Sequence, residues 1–169
     1  AICLTLGTGV GGAIIIDGKL FRGADNAAGE IGHFPLNESG PICNCGGRAC
    51  LETYVGNSKI IAQAKKVFGE SITLESLSTK ALKGDKKAKA IWDKVGSSLG
   101  IALSGVVNLL NLDAIIIGGG VAQAGDALFK KIKETIRLRA MSVHSSRVKL
   151  FKAKLGNRAG IYGRRLSVP

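Results

Sequence analysis

Aromatic residues are scarce in this chain: 169 residues include one Trp, two Tyr and five Phe. A packed core therefore has to rest on Ile, Leu, Val and Ala. Lys and Arg outnumber Asp and Glu by 24 to 12. The basic residues of 59–94 and 130–165 are scattered at helix-surface spacing with no aromatics interleaved, so they read as a solvated basic face and not a nucleic-acid groove. Long apolar runs are also missing. Gly or Asn interrupts each one well short of a bilayer-spanning helix, and no charged-then-apolar leader precedes them. A cytoplasmic chain with no membrane partner is expected. The four cysteines do not form a disulfide framework: three fall within eight positions and Cys3 stands alone, a layout that suits metal in a reducing compartment. There is no initiator Met, and the chain opens directly on the apolar strand Ile2-Cys3-Leu4-Thr5-Leu6. It is expected to be a piece of a longer polypeptide.

What is present is a soluble α/β composition, rich in tight turns, with 24 glycines and 46% hydrophobic residues. Residues 1–6 read as a buried strand, 7–12 as a glycine-rich turn and 13–16 as a second strand. Asp17-Gly18 reads as a hairpin turn leading back through 19–21. Residues 22–50 carry Gly, Pro, Asn and Cys without a period. From Asn57 the period becomes helical. Asn57 is expected to cap a helix with Ile60, Ile61, Ala64, Val67 and Phe68 on its apolar face. A short helix follows over 74–82. Asp85 is expected to cap a long one reaching Leu110, whose internal Gly96, Gly100 and Gly105 imply close packing on another backbone. A strand over 112–117, three glycines, a helix over 128–138, a strand over 148–151 and a helix over 160–166 complete the pattern. Asp17, Asp25 and Asp113 read as turn residues, and 142–146 as a polar loop. The fold class is α/β, a sheet with packed helices.

Cys43, Cys45 and Cys50 place three thiols on a tight glycine-containing loop. Zinc takes four tetrahedral ligands and favours thiolate and imidazole. Of the two histidines, His33 lies ten residues before Cys43, whereas His144 has no thiol near it in sequence. His33, Cys43, Cys45 and Cys50 are the expected zinc ligands, with the zinc loop at 29–52. Four protein ligands close the site, so the metal is structural.

Two glycine turns follow apolar strands. In Gly7-Thr8-Gly9, backbone N–H groups and the Thr8 hydroxyl suit phosphate oxygens, although a plain hairpin lead-in fits equally. No Lys-Ser/Thr pair follows, which excludes a Walker A loop, and the hairpin that follows excludes a dinucleotide fingerprint. Gly118-Gly119-Gly120-Val121 is either a strand-to-helix turn or a backbone that a flat ligand approaches closely. Glu30 and Glu52 bracket the metal loop, either as fixed acceptors for sugar hydroxyls or as ordinary surface acids.

Together, Leu6-Gly7-Thr8-Gly9-Val10-Gly11, Gly29-Glu30-Ile31-Gly32-His33, Cys43-Asn44-Cys45-Gly46 through Cys50-Leu51-Glu52, and Ile117-Gly118-Gly119-Gly120-Val121 resemble the ROK family of bacterial sugar kinases and repressors over nearly the whole chain. The family usually carries glycine immediately before the third cysteine, where this chain has Ala49. The resemblance implies the C-terminal lobe, residues 1–169, of an actin-like (ribonuclease H-like) two-domain sugar kinase. Gly7, Thr8 and Gly9 would face the phosphates of ATP with its Mg²⁺, and Gly118, Gly119, Gly120 and Val121 would face the adenosine. Glu30, His33 and Glu52 would contact the sugar, a hexose or N-acetylhexosamine. The family's catalytic aspartate matches no residue here, so this chain alone is expected to be inactive. A homodimer is implied as well. DNA becomes a partner only in the repressor branch, where this lobe would sense sugar. Zinc on one nitrogen of His33 would leave the other facing the cleft. The glycine turns are expected to be separate from the zinc loop, so that loss of His33 would touch sugar binding and spare ATP.

Overall fold

A computed structural model of the chain describes residues 1–154. The apolar opening forms β1 (Ile2–Leu6) and returns antiparallel as β2 (Val10–Ile16). Asp17 and Gly18, both at positive φ (50° and 74°), turn the chain into β3 (Lys19–Phe21), as the hairpin signal required. β2 starts earlier than the sequence suggested. Leu6 pairs with Val10 and Thr5 with Gly11, so the glycine turn shrinks to residues 7–9 and Gly11 and Gly12 become strand.

Residues 22–50 contain one 3₁₀ turn, Ile31–His33, and two isolated bridges, Pro35 with Cys50 and Ile42 with Arg48. A one-turn helix not anticipated from the pattern, α1 (Glu52–Val55), leads into α2 (Asn57–Phe68). Asn57 proves to be the first helical residue and not a side-chain cap. Gly56 occupies the cap position, and no side chain bonds the helix start. Ile60 and Ala64 of α2 are buried and Phe68 packs on the same core, while Val67 lies beside this i, i+4, i+8 line and faces solvent.

The start of α3 (Leu74–Leu82) is closed by Thr73 and Ser76 in a reciprocal capping box. Asp85 caps α4 (Lys86–Leu110) as expected, accepting from the N–H groups of Lys87 and Ala88 at 2.9 Å. After β4 (Ala114–Gly118) come a 3₁₀ turn, Val121–Ala124, and then α5 (Asp126–Arg139). The short α6 (Ser142–Ser145) replaces the polar loop expected there, and β5 (Lys149–Lys152) follows it. The helix expected over 160–166 lies outside the described residues.

The sheet order is β3-β2-β1-β4-β5, with β1, β4 and β5 parallel and the hairpin strands antiparallel. Ile2, Leu4 and Leu6 of β1 and Ile115 and Ile117 of β4 are buried, while Cys3 and Ile116 of the alternate face are half-buried. Period-2 burial of this kind belongs to a sheet packed by helices on one face. The packing helix is α4, whose Trp92, Leu99, Leu103 and Val107 are fully enclosed. Its glycines serve close packing. A Cβ at Gly100 would collide with the Thr135 side chain of α5, and one at Gly96 would lie 2.7 Å from Lys131 Cβ. No helix among the described residues is long and apolar enough to cross a membrane.

Candidate functional site

β1 and β4 are parallel neighbours, with Thr5 beside Gly118. The turns that follow them therefore emerge side by side at the same edge of the sheet, where ligands bind parallel sheets. Gly119 has φ +89°, and a Cβ on it would strike the Leu6 carbonyl oxygen. Strand adjacency by itself therefore requires glycine at this position. Gly118 and Gly120 are less crowded: a Cβ would lie 3.0 Å from Ala153 Cβ in the first case and 3.9 Å from Asn57 Nδ2 in the second.

The second cluster is built by residues 29–52. His33 Nδ1 lies 3.7 Å from Cys43 Sγ, and Cys45 Sγ lies 3.7 Å from Cys50 Sγ. All four ligand atoms fall within 4.8 Å of one another. A tetrahedral zinc with Zn–S bonds of about 2.3 Å and a Zn–N bond of about 2.05 Å has S···S edges near 3.8 Å and S···N edges near 3.5 Å. The observed pairs match those edges, and the donor set is one that zinc prefers. The loop also fixes the thiols electrostatically. The N–H of Gly47 donates to Cys45 Sγ at 3.4 Å and lowers that thiol's pKa. Burial, followed by the neighbouring thiols of Cys45 and Cys43, pushes Cys50 up to about 12. A buried Cys50 thiolate thus needs a cation beside it. Cys3 lies apart, within β1.

Ala49 has φ +57° and no solvent exposure. The left-handed conformation that glycine would occupy freely is therefore kept here by alanine, at a cost of about 1–2 kcal/mol.

The first glycine turn and the metal loop meet in one cleft, which residues 118–121 do not line. A cavity of about 410 Å³ is lined by Gly7, Thr8 and Gly9 together with Glu30, His33 and Glu52. With His33 Nδ1 turned to the thiols, Nε2 faces the cleft, 3.8 Å from Glu30 Oε2. Glu52 reaches across. Its Oε2 accepts the Val10 N–H at 2.9 Å, and Gly9 lies so close that a Cβ there would collide with the carboxylate. The expected separation of the glycine turn from the zinc loop does not hold, because Glu52 is two residues from Cys50 and touches the turn directly. A further 260 Å³ cavity behind Gly9 and Glu52 is lined by Thr8, Asn44, Thr53, Ser58 and Lys59. Two other cavities, of about 420 and 460 Å³, contain none of the expected site residues.

The residue that sequence reasoning missed is Asn57. Its N–H donates to the Gly7 carbonyl at 2.9 Å, its Oδ1 is buried without a hydrogen-bond partner, and its Nδ2 would lie 3.9 Å from a Cβ placed on Gly120. It stands between both glycine turns. An Asn at a helix start resembles any cap, so only the three-dimensional pairing of β1 with β4 could have distinguished it.

Known proteins resemble this chain over nearly its whole length. A family model described as ROK family matches residues 1–168. A glucokinase of Halalkalibacterium halodurans is 36% identical over 96% of this chain and 54% of its own length. A xylose repressor of Caldicellulosiruptor bescii is 30% identical over 96% of this chain and 44% of its own. Among solved structures, a ROK family glucokinase from Streptomyces griseus, in complex with glucose and AMPPNP, superposes with a TM-score of 0.86 at 29% identity, covering 96% of this chain and 58% of that one. The chain spans about half the length of the curated relatives it matches.

Proposed function

Since the chain belongs to the ROK family, we propose that it is the C-terminal lobe of an ATP-dependent hexose kinase, binding the sugar and part of the nucleotide. The observation that carries this reading is the single cleft in which the Gly7-Thr8-Gly9 turn faces Glu30, His33 and Glu52. Phosphoryl transfer demands little covalent chemistry from the protein. It needs the acceptor hydroxyl and the terminal phosphate held in line, with charge neutralised by Mg²⁺. A phosphate cradle opposite fixed hydroxyl acceptors supplies that positioning.

In this reading His33, Cys43, Cys45 and Cys50 hold one zinc. With four protein ligands the metal has no open position, and what it supplies is a fixed imidazole. His33 then presents Nε2–H to a sugar hydroxyl oxygen, while Glu30 and Glu52 accept hydroxyl protons. The backbone N–H groups of residues 7–9 and the Thr8 hydroxyl face the phosphates, and the turn at 118–121 lies on the adenosine side. The general base on the sugar hydroxyl comes from outside these residues, so the 169-residue chain turns over no glucose by itself.

The rival reading is the sugar-sensing lobe of a repressor, which the similarity to the xylose repressor supports. The kinase reading is favoured because both glycine turns are intact and adjacent, whereas a sensor needs only the sugar side. Calorimetry with glucose, mannose, N-acetylglucosamine and a non-hydrolysable ATP analogue tests both. Binding of sugar and nucleotide supports the kinase, sugar without nucleotide supports the sensor, and binding of neither removes both.

A further inference from the structure

The Val10 amide points away from β1. Val10 opens β2 opposite Leu6 in a non-hydrogen-bonded pair, β3 reaches only residues 14–16, and the outward N–H is taken by the Glu52 carboxylate. The rest of the turn leans on the same short segment. Asn57 N–H donates to Gly7 O, and Gly56 packs against the Thr8 carbonyl so closely that a Cβ would lie 2.8 Å from it. That segment is in turn anchored at the third thiol. Thr53 donates to Cys50 O through its N–H at 2.9 Å and its hydroxyl at 2.8 Å, and Leu51 N–H bonds Phe34 O next to His33. A continuous chain of short contacts thus runs from the thiol cluster through α1 to the glycine turn, with a charged hydrogen bond as its last link.

We propose that Glu52 is a positioning residue that carries zinc loading to the glycine turn. Metal at His33, Cys43, Cys45 and Cys50 fixes Cys50, Cys50 fixes α1, and the Glu52 carboxylate holds Val10 N–H so that the amides of residues 7–10 stay ordered. One carboxylate oxygen is committed to Val10, and the other remains for a ligand in the cleft. The latch is a property of the chain itself. Only its consequence, an ordered phosphate cradle, rests on the kinase reading.

Amide hydrogen exchange on the 169-residue chain tests this without any ligand or turnover, so a failure of sugar or nucleotide binding leaves the test intact. In the zinc-loaded protein, Glu52→Ala should raise exchange at Val10 by at least about tenfold, the effect of losing a hydrogen bond to a charged acceptor. The α4 core amides of Leu99 and Leu103 should be unchanged. Glu52→Gln, which keeps a carbonyl acceptor, should recover part of the protection. Chelating zinc should accelerate Val10 in the wild type but add nothing further in Glu52→Ala. The proposal is overturned if Val10 exchanges alike in zinc-loaded wild type and Glu52→Ala. It is equally overturned if chelation frees residues 33–50 while leaving Val10 protected. Should full chelation also release the α4 core, substoichiometric zinc decides: Val10 protection must follow zinc occupancy in the wild type and ignore it in Glu52→Ala.

Discussion

Zinc withdrawal is the perturbation with the most calculable outcome. Residues 22–50 hold one 3₁₀ turn and two single bridges, and their backbone bonds are mostly internal, such as Cys43 N–H to Gly47 O and Ala49 N–H to Pro41 O. Little besides the four side chains ties His33 to Cys43 and Cys45. A ligand that binds only the folded chain stabilises it by about 2.7 kcal/mol when its free concentration is 100 times Kd. For a domain of this size each kcal/mol moves Tm by about 2–4 °C. Scanning calorimetry in zinc-buffered solution should therefore show Tm rising by about 5–11 °C between chelator and that free zinc level. Cys50→Ser should abolish the rise, and Cys3→Ser should retain it, because Cys3 lies in β1 away from the cluster. Elemental analysis should find about one zinc per chain. A Tm that ignores free zinc in the wild type would refute the metal assignment.

The pH dependence has a definite sign. Without metal the Cys50 thiol, raised to about 12 by burial, is protonated at every ordinary pH. Zinc takes the thiolate, so binding expels that proton and affinity must fall by about tenfold per pH unit lowered for each proton displaced. The zinc-dependent part of Tm should still be growing at pH 8 and shrink as pH drops toward 6 at constant free zinc. A rise on acidification would contradict the thiolate set.

Three substitutions probe the remaining claims. Gly100→Ala gains helix propensity, but its methyl would strike Thr135 across the α4–α5 contact. A net loss of about 1–3 kcal/mol is expected in denaturant titrations, and a gain would mean that α5 yields freely. Ala49→Val puts a β-branched residue at φ +57° in a fully buried site whose methyl already faces Gly40. It should cost more than about 2 kcal/mol and lower zinc occupancy, whereas an unchanged Tm would deny the left-handed conformation. In the longest available form of the protein, His33→Ala should weaken sugar affinity strongly, and nucleotide affinity by a smaller but measurable factor because α1 links Cys50 to the turn. Paired calorimetry reads both, and an unchanged sugar affinity would leave zinc as a loop staple alone.

The His/Cys cluster was legible from sequence because ligand chemistry is restrictive: three thiols within eight positions and one nearby imidazole leave few arrangements. The strands were legible as short apolar runs beside glycine turns, and α4 from its long apolar stripe with Asp85 ahead of it. What failed were junctions. Whether residues 10–12 were turn or strand depended on pairing with β1, a contact that no local pattern encodes. Asn57 looked like a cap because the residue type is the same whether it closes a helix or stands between two turns. Val67 fits a helical stripe on sequence spacing, but the buried line runs through Ile60, Ala64 and Phe68 beside it.

The most consequential misreading was the independence of the two halves of the cleft. Along the chain, 42 positions separate Val10 from Glu52, and each motif is intelligible without the other. In the folded chain they share a hydrogen bond, and the reason is topological. β1 delivers the glycine turn to the sheet edge, α4 fills the face behind it, and the loop that must cross this edge to reach α2 does so through Cys50, Glu52 and Gly56. The crossing segment has to pack on the turn, because Gly9 and Gly56 leave no room for anything between them. An ion bound at the thiols would stiffen that crossing and so act on the Gly7–Gly9 turn as well as on its own loop. Any substitution that loosens α1 without touching a ligand, Gly56→Ala being the smallest, should therefore disturb the Gly7–Gly9 amides while zinc remains bound.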